Sequence, residues 1–197
     1  MNFYPINLKI ENEKCFVIGG GKVAYRKILG LLEAGAKVEV ISPEVCKEVE
    51  ELFKSGKINL LREKYSPEKI SDGLILIAAT SDEKINQLAV EDAKKKNILV
   101  NSANGGGNFN VPSKIQRDDF LLTISTGGNS PAFSKFVREI LEKEFDENFA
   151  EGLKIISKRR DEIKKFLPDV EARKNFWREI LTPEVWENLK RGELDKL

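Results

Sequence analysis

The stretch KCFVIGGGKVAYRKILGLLEAGAKVEVIS, residues 14–42, most constrains the fold. Its first part is an apolar run ending on three glycines, the pattern of a buried strand entering a tight turn. Beyond the glycines, Ala24, Ile28, Leu31 and Leu32 recur at i, i+4, i+7 and i+8, which is one face of a helix. Gly35 ends that helix, and KVEVIS (37–42) reads as a second strand. Strands of one sheet joined through a helix run parallel, with a right-handed crossover.

The alternation continues. Pro43 is expected to open the next helix. KINLLREKY (57–65) reads as a third strand, and GLILIAAT (73–80) as a strand covered on both faces. Ser81 or Asp82 is suited to cap a helix whose stripe is Ile85, Leu88, Ala89 and Ala93. NILVNSA (97–103) is a fifth strand that runs into the loop NSANGGGNFNVPS. The predicted fold class is α/β, a Rossmann-like doubly wound parallel sheet over residues 1–112. A small α+β segment follows at 113–146, with a strand in DFLLTIST and a helix in GGNSPAFSKFVREILEKEF. Phe133, Phe136, Val137, Ile140 and Leu141 lie on one face of that helix. The charged region 147–197 reads as helices broken at Pro168 and Pro183, with stripes Leu153–Ile156–Ile163–Leu167 and Phe176–Trp177–Ile180–Leu181.

Composition narrows the chemistry. Thirty-three basic and 32 acidic residues leave a net charge of +1 over 197 residues. That balance argues against nucleic acid or membrane as a partner held by bulk charge. No apolar stretch approaches the roughly 20 residues of a membrane span, and MNFYPINLKIENEK lacks the pattern of a signal peptide. Cys15 and Cys46 suit buried thiols in a reducing, cytoplasmic setting. The chain has no histidine, which removes His-based triads, zinc sites and general bases. No metal site is expected.

Gly19-x-Gly21-x-x-Ala24 sits between a strand and a helix, the context that gives this spacing meaning. The first glycine allows the turn, the second admits a pyrophosphate to the backbone, and the small Ala24 lets helix and strand approach. The helix start then offers free N–H groups to the phosphates. Small residues here also serve packing alone. The second strand ends in Ser42 and Glu44 where an acid commonly holds the adenosine ribose, so Ser42, backbone or Glu44 is left for that contact. No arginine stands beside Ser42, which favours NAD over NADP. Tyr65-x-x-x-Lys69 has the spacing of a short-chain dehydrogenase pair, but Pro67 interrupts the turn that would align the two side chains. In STGGNSPAFSK (125–135), Gly127, Gly128 and the helix start cluster N–H donors, a ready anion site. Lys114, Arg117, Lys135 and Arg138 flank it; solvated surface charge is the alternative reading.

These strings together resemble a known family. CFVIGGGKVAYRKILGLLEAGAKVEVISPE, LILIAATSDEKINQ, VNSAN, NVPSKIQRDDFLLTISTGGNSPAFSK and RRDEIKKFLPDVEARKNFWREIL are similar to the precorrin-2 dehydrogenases, the dehydrogenase/ferrochelatase module of siroheme synthase. The resemblance covers roughly residues 3–181. It implies NAD-dependent oxidation of the tetrapyrrole precorrin-2 to sirohydrochlorin by a homodimer formed through the segment after the first domain. Some members also insert iron or cobalt. It implies that Lys22 and Val23 at the first turn, and Pro43 and Glu44 at the end of the second strand, contact the dinucleotide, which with Gly19, Gly21, Ala24, Ser42 and Thr80 makes the expected cofactor-lining set. It also implies that Ser125, Thr126, Gly127 and Gly128 face the tetrapyrrole, with Lys114, Arg117, Lys135 and Arg138 on its carboxylates. The sequence departs from the family at Asn104, where an aspartate implicated in dehydrogenation and chelation is usual. Asparagine accepts no proton near neutral pH. Asp82, Asp118 and Asp119 are the other carboxylates considered for that task. A protein that delivers or senses tetrapyrrole and NAD without turnover is the alternative.

Overall fold

A computed structural model describes residues 3–194. The chain divides into two compact units, Met1–Val111 and Pro112–Leu197. The stretches 113–146 and 147–197, separated on sequence, lie in the same unit.

The first unit is a Rossmann-like α/β layer structure. Its five strands are β1 (Lys14–Ile18), β2 (Lys37–Ile41), β3 (Asn59–Leu61), β4 (Ile75–Ala78) and β5 (Leu99–Ser102). They form one parallel sheet in the order β3-β2-β1-β4-β5. Alternation along β1 divides the core. Cys15 and Val17 pack with Ala24, Ile28 and Leu31 of α1 (Lys22–Glu33) and with Val49 and Leu52 of α2 (Lys47–Lys54). Phe16 and Ile18 pack on the other face with Ala89, Val90 and Ala93 of α3 (Glu83–Lys95). Strand order reverses at β1, where Ile18 sits in register with both Ile41 and Ala78. Loops diverge at the carboxyl ends of β1 and β4, the place where such sheets bind ligands.

Three sequence expectations change here. Pro43 does not open a helix; α2 begins at Lys47 with Cys46 as its N-cap. The Ser42 hydroxyl donates to the Glu44 carbonyl (2.6 Å), and the Cys46 N–H donates to the Gly20 carbonyl (2.8 Å). Those bonds hold residues 42–46 on the glycine turn before the helix can start. The third strand shrinks to three residues, because the Glu63 N–H turns back onto the Leu61 carbonyl. On α3 the inward positions are Asn86, Ala89, Val90 and Ala93, while Leu88 is 43% exposed. The buried stripe keeps the i, i+3, i+4, i+7 spacing, and its first member is a polar amide.

The second unit starts with an antiparallel hairpin, β6 (Ser113–Arg117) and β7 (Phe120–Ile124). Only β7 was expected, because SKIQR has a single apolar residue, Ile115, and that residue is fully buried. Four helices follow: α4 (Pro131–Glu144), α5 (Glu147–Phe166), α6 (Val170–Ile180) and α7 (Pro183–Arg191). Pro168 falls in the break before α6, and Pro183 occupies the first turn of α7. Phe120, Phe145, Phe149 and Trp186 stack around Leu189. Of the predicted apolar face of α4, Phe133, Phe136 and Ile140 stay about half exposed. Among the described residues, no helix is long and apolar enough to cross a membrane.

Candidate cofactor site

The three glycines after β1 have different tasks. Gly19 has φ +112°, and a Cβ there would lie 2.6 Å from the Ala79 carbonyl oxygen. A Cβ on Gly20 would collide with the Glu44 carbonyl oxygen and with Val45. The fold itself therefore demands these two. Gly21 differs: it is the N-cap of α1 at φ −84°, and nothing lies within 4 Å of where its Cβ would be. The backbone around it is open to solvent, beside the exposed Lys22 and Val23. No side chain caps the helix start, and its first turn carries no acid. Unclaimed N–H groups at a helix start favour an anion. Ala24, fully buried, brings α1 against the sheet. This arrangement fits a dinucleotide pyrophosphate, since the open space lies at the one glycine that packing does not require.

At the end of β2, the Ser42 hydroxyl proton is committed to Glu44 and the side chain is buried, so it can only accept from a ligand. Pro43 and Glu44 are exposed. Glu39 pairs sideways with Lys14 Nζ at 3.3 Å. Arg62, just beyond β3, is paired with Glu50.

The ends of β4 and β5 meet through Asn86, which sequence reasoning missed. The Asn86 Oδ1 accepts from the Thr80 N–H (3.0 Å) and the Thr80 hydroxyl (2.8 Å). Its Nδ2 donates to the Thr80 carbonyl (3.0 Å) and to Asn104 Oδ1 (2.5 Å). Asn86 is completely buried, whereas Asn104 is exposed. An amide at a core-facing helical position was the available signal. Asp82 serves as the N-cap of α3, accepting from Lys84 and Ile85 N–H, and so is not a free base.

The loop after β5 is pinned by asparagines. Asn108 Oδ1 accepts from the Val100 N–H (2.8 Å), and the Asn108 N–H donates to the Val100 carbonyl (2.9 Å). Asn101 Nδ2 donates to the Phe109 carbonyl (3.0 Å). Gly107 is required because a Cβ would strike the Val100 carbonyl oxygen, while Gly105 and Gly106 turn the chain at φ +88° and +80°.

In the second unit, Gly127 and Gly128 both have positive φ, and Ser130 caps α4 by accepting from the Phe133 N–H (3.2 Å). Thr126 Oγ1 accepts from the Ser130 N–H and meets the Ser134 hydroxyl, both at 3.2 Å. The Gly127 N–H reaches the Ser125 hydroxyl. Several of the expected anion donors are thus used internally. The four basic residues also have partners within the chain. Lys114 donates to Gln116 (2.9 Å), and Lys135 faces Glu139 at 3.7 Å. Arg138 pairs with Glu142, and Arg117 Nε lies 3.1 Å from Glu147, a charge contact without an aligned N–H. Asp118 binds Lys154 at 2.8 Å. Tyr65 and Lys69 do not form a catalytic pair. The Tyr65 hydroxyl donates to Asp92 (3.2 Å), with its pKa pushed well up by burial and by that carboxylate, and Lys69 pairs with Glu63.

The chain is similar to known proteins over both units. Residues 6–113 match an NAD(P)-binding family profile, and residues 153–197 match the profile of the sirohaem synthase dimerisation region. A solved precorrin-2 dehydrogenase, SirC, is 26% identical and superposes with a TM-score of 0.77, covering 99% of this chain and 100% of its own. The chain belongs to the precorrin-2 dehydrogenase and siroheme synthase family. The siroheme synthase of Chromobacterium violaceum is 31% identical over 98% of this chain, and that of Nitrosospira multiformis 35% over 92%. The chain spans 42% and 40% of the length of these two relatives.

Proposed function

We propose that the protein is an NAD-dependent precorrin-2 dehydrogenase that acts as a homodimer in the cytoplasm and releases sirohydrochlorin. The observation that carries the reading is Gly21, open and uncapped at the start of α1, in a chain of this family. When bound, the dinucleotide supplies the hydride acceptor. The chain's part is to hold it: the N–H groups of the β1–α1 turn on the pyrophosphate, Pro43 and Glu44 beside the ribose, Thr80 at the end of β4. NAD is favoured over NADP because no arginine stands beside Ser42 in the sequence, where a 2′-phosphate would be recognised. The substrate's carboxylates are assigned to Lys114, Arg117, Lys135 and Arg138 and to the turn Ser125–Gly128, with exchange of the side chains' present partners within the chain for substrate. Two unpaired thiols suit a reducing compartment.

Asn104 sets the expected balance of activities. Dehydrogenation depends chiefly on placing the hydride donor against the nicotinamide, and the proton released can pass to water. Metal insertion, which needs pyrrole protons removed, is expected to be slow. Asn104 equally favours a second reading, a protein that carries tetrapyrrole without oxidising it. Purified protein mixed with precorrin-2 and NAD distinguishes the two: reduced nicotinamide and the sirohydrochlorin spectrum appear together in the first case. Tight tetrapyrrole binding with no reduced nicotinamide, under saturating NAD, would leave only the second.

A further inference from the structure

The hydrogen-bond chain Thr80–Asn86–Asn104 fixes which end of Asn104 faces outward. The starting point is the Thr80 backbone, whose N–H can only donate and whose carbonyl can only accept. Both bind the Asn86 side chain at 3.0 Å. Asn86 therefore has its oxygen on the Thr80 N–H and its nitrogen on the Thr80 carbonyl, and the reverse placement would oppose two like groups at once. The second proton of that nitrogen points at Asn104, 2.5 Å away. The Asn104 atom that receives it must be the oxygen. The outward end of Asn104 is then its NH2 group, on a loop at the carboxyl end of the sheet.

We propose that Asn86 is a positioning residue that presents Asn104 as a hydrogen-bond donor, so that position 104 holds an oxygen acceptor of the bound ligand instead of taking up a proton. The inference rests on the proposed ligands, and two of them carry such an oxygen: the carboxamide of the nicotinamide ring and the carboxylates of the tetrapyrrole. Burial gives the device its firmness. Asn86 is fully excluded from water, so turning its amide over would set both polar groups of the Thr80 backbone against like groups with no water to serve them. The same amide grips the Thr80 loop, which connects the cofactor side of β4 with position 104.

The test uses the full chain and two probes, NAD alone and sirohydrochlorin alone, with affinity measured for wild type, Asn104→Asp, Asn86→Asp and the double variant. Asn104→Asp keeps an oxygen on Asn86 but faces the ligand with a second oxygen. Asn86→Asp keeps the acceptor for the Thr80 N–H and loses both donors, so Asn104 turns its nitrogen inward and its oxygen outward. Both single variants are expected to weaken the same probe by about tenfold, and the double variant is expected to fall short of the product of the two losses. The probe that weakens identifies which oxygen is held. Unchanged affinity for both probes in Asn104→Asp overturns the donor role. Loss in Asn104→Asp with none in Asn86→Asp overturns the positioning role. Should Asn86→Asp fail to fold, side-chain amide hydrogen exchange in the wild type decides orientation: slow exchange of one Asn86 proton, accelerated in Asn104→Ala, supports it, and an unaltered rate overturns it. If wild type binds neither probe, the donor role and the proposed dehydrogenase fall together, and the exchange result alone reports on orientation.

Discussion

Asn86 and Asn104 are 18 positions apart, on α3 and on the loop after β5, and their side chains meet at 2.5 Å. Asn104 is thereby held by a buried amide that also carries both polar groups of the Thr80 backbone. The position where relatives are expected to carry an acid is thus a rigid one. A carboxylate placed there would inherit a donor from Asn86, which favours its charged form. Asn104→Asp should therefore act as a base through the neutral range. Metal insertion at saturating sirohydrochlorin is expected to rise by roughly tenfold or more, while affinity for the weakened ligand falls. A stopped-flow assay with Fe(II) or Co(II) that separates kcat from KM checks this. Unchanged kcat would mean that position 104 is remote from the pyrrole nitrogens.

The glycine turn gives a paired prediction. Gly19→Ala forces a side chain into the left-handed region against the Ala79 carbonyl and should cost about 2 kcal/mol or more, lowering the melting temperature with or without NAD. Gly21→Ala meets no atom of the protein, so the melting temperature of the free protein should hold. Its methyl group would occupy the space assigned to the pyrophosphate, and NAD affinity should fall by about tenfold or more. Calorimetric titration of both variants separates a glycine kept for folding from one kept for ligand.

The contrast between these glycines also marks what sequence could and could not reveal. The order of strands and helices was legible because β1, β4 and their crossovers are apolar with a clear period. Gly19-x-Gly21-x-x-Ala24 located the turn, but not the separate tasks of Gly19, Gly20 and Gly21, which depend on backbone arriving from β2 and β4. Asn86 was hidden because polar residues on a helix normally mark its solvent face, and its partners come from loops six and 18 residues away. The β6 strand was hidden because one buried residue, Ile115, anchors an otherwise polar segment. Asn101 and Asn108 fasten the glycine-rich loop to its own chain through side-chain bonds that no spacing in the sequence announces.

Thr80 should be sensitive to loss of its hydroxyl. Thr80→Val keeps the shape but removes the group that bridges Asp82 and Asn86, leaving one lone pair of the buried Asn86 oxygen unserved. The expected loss is about 1–2 kcal/mol in urea unfolding, with an unchanged m-value. A larger loss, or a changed m-value, would show that the network spans more of the unit than these three residues.

Cys15 predicts an alkaline limit to stability. Burial in the sheet raises its pKa from 9.0 to about 11. The folded state holds the thiol proton more tightly than the unfolded state does. The stabilisation is therefore complete below pH 9 and is lost as pH rises through about 11. That difference corresponds to roughly 3 kcal/mol at the far end of that window. Cys15→Ala should flatten the slope of unfolding free energy against pH across it. A thiol reagent at neutral pH should modify the half-buried Cys46 well before Cys15.

The exposed face of α4 supplies the last test, which bears on the proposed homodimer. Phe133, Phe136 and Ile140 recur at i, i+3 and i+7, each about half exposed in the single chain. Apolar residues placed in a row on a helix face are costly to leave in water, at about 25 cal/mol per Å2. Phe136→Glu removes one aromatic group and adds a charge there without touching the Phe120–Phe145–Phe149 stack of the unit's own core. If this face is where two copies meet, the variant should sediment as a monomer at concentrations where the wild type is a dimer. The helical content of the variant should remain that of the wild type. A Phe136→Glu protein that still sediments as a dimer would place the contact elsewhere in the second unit, with residues 153–197 the next to be substituted.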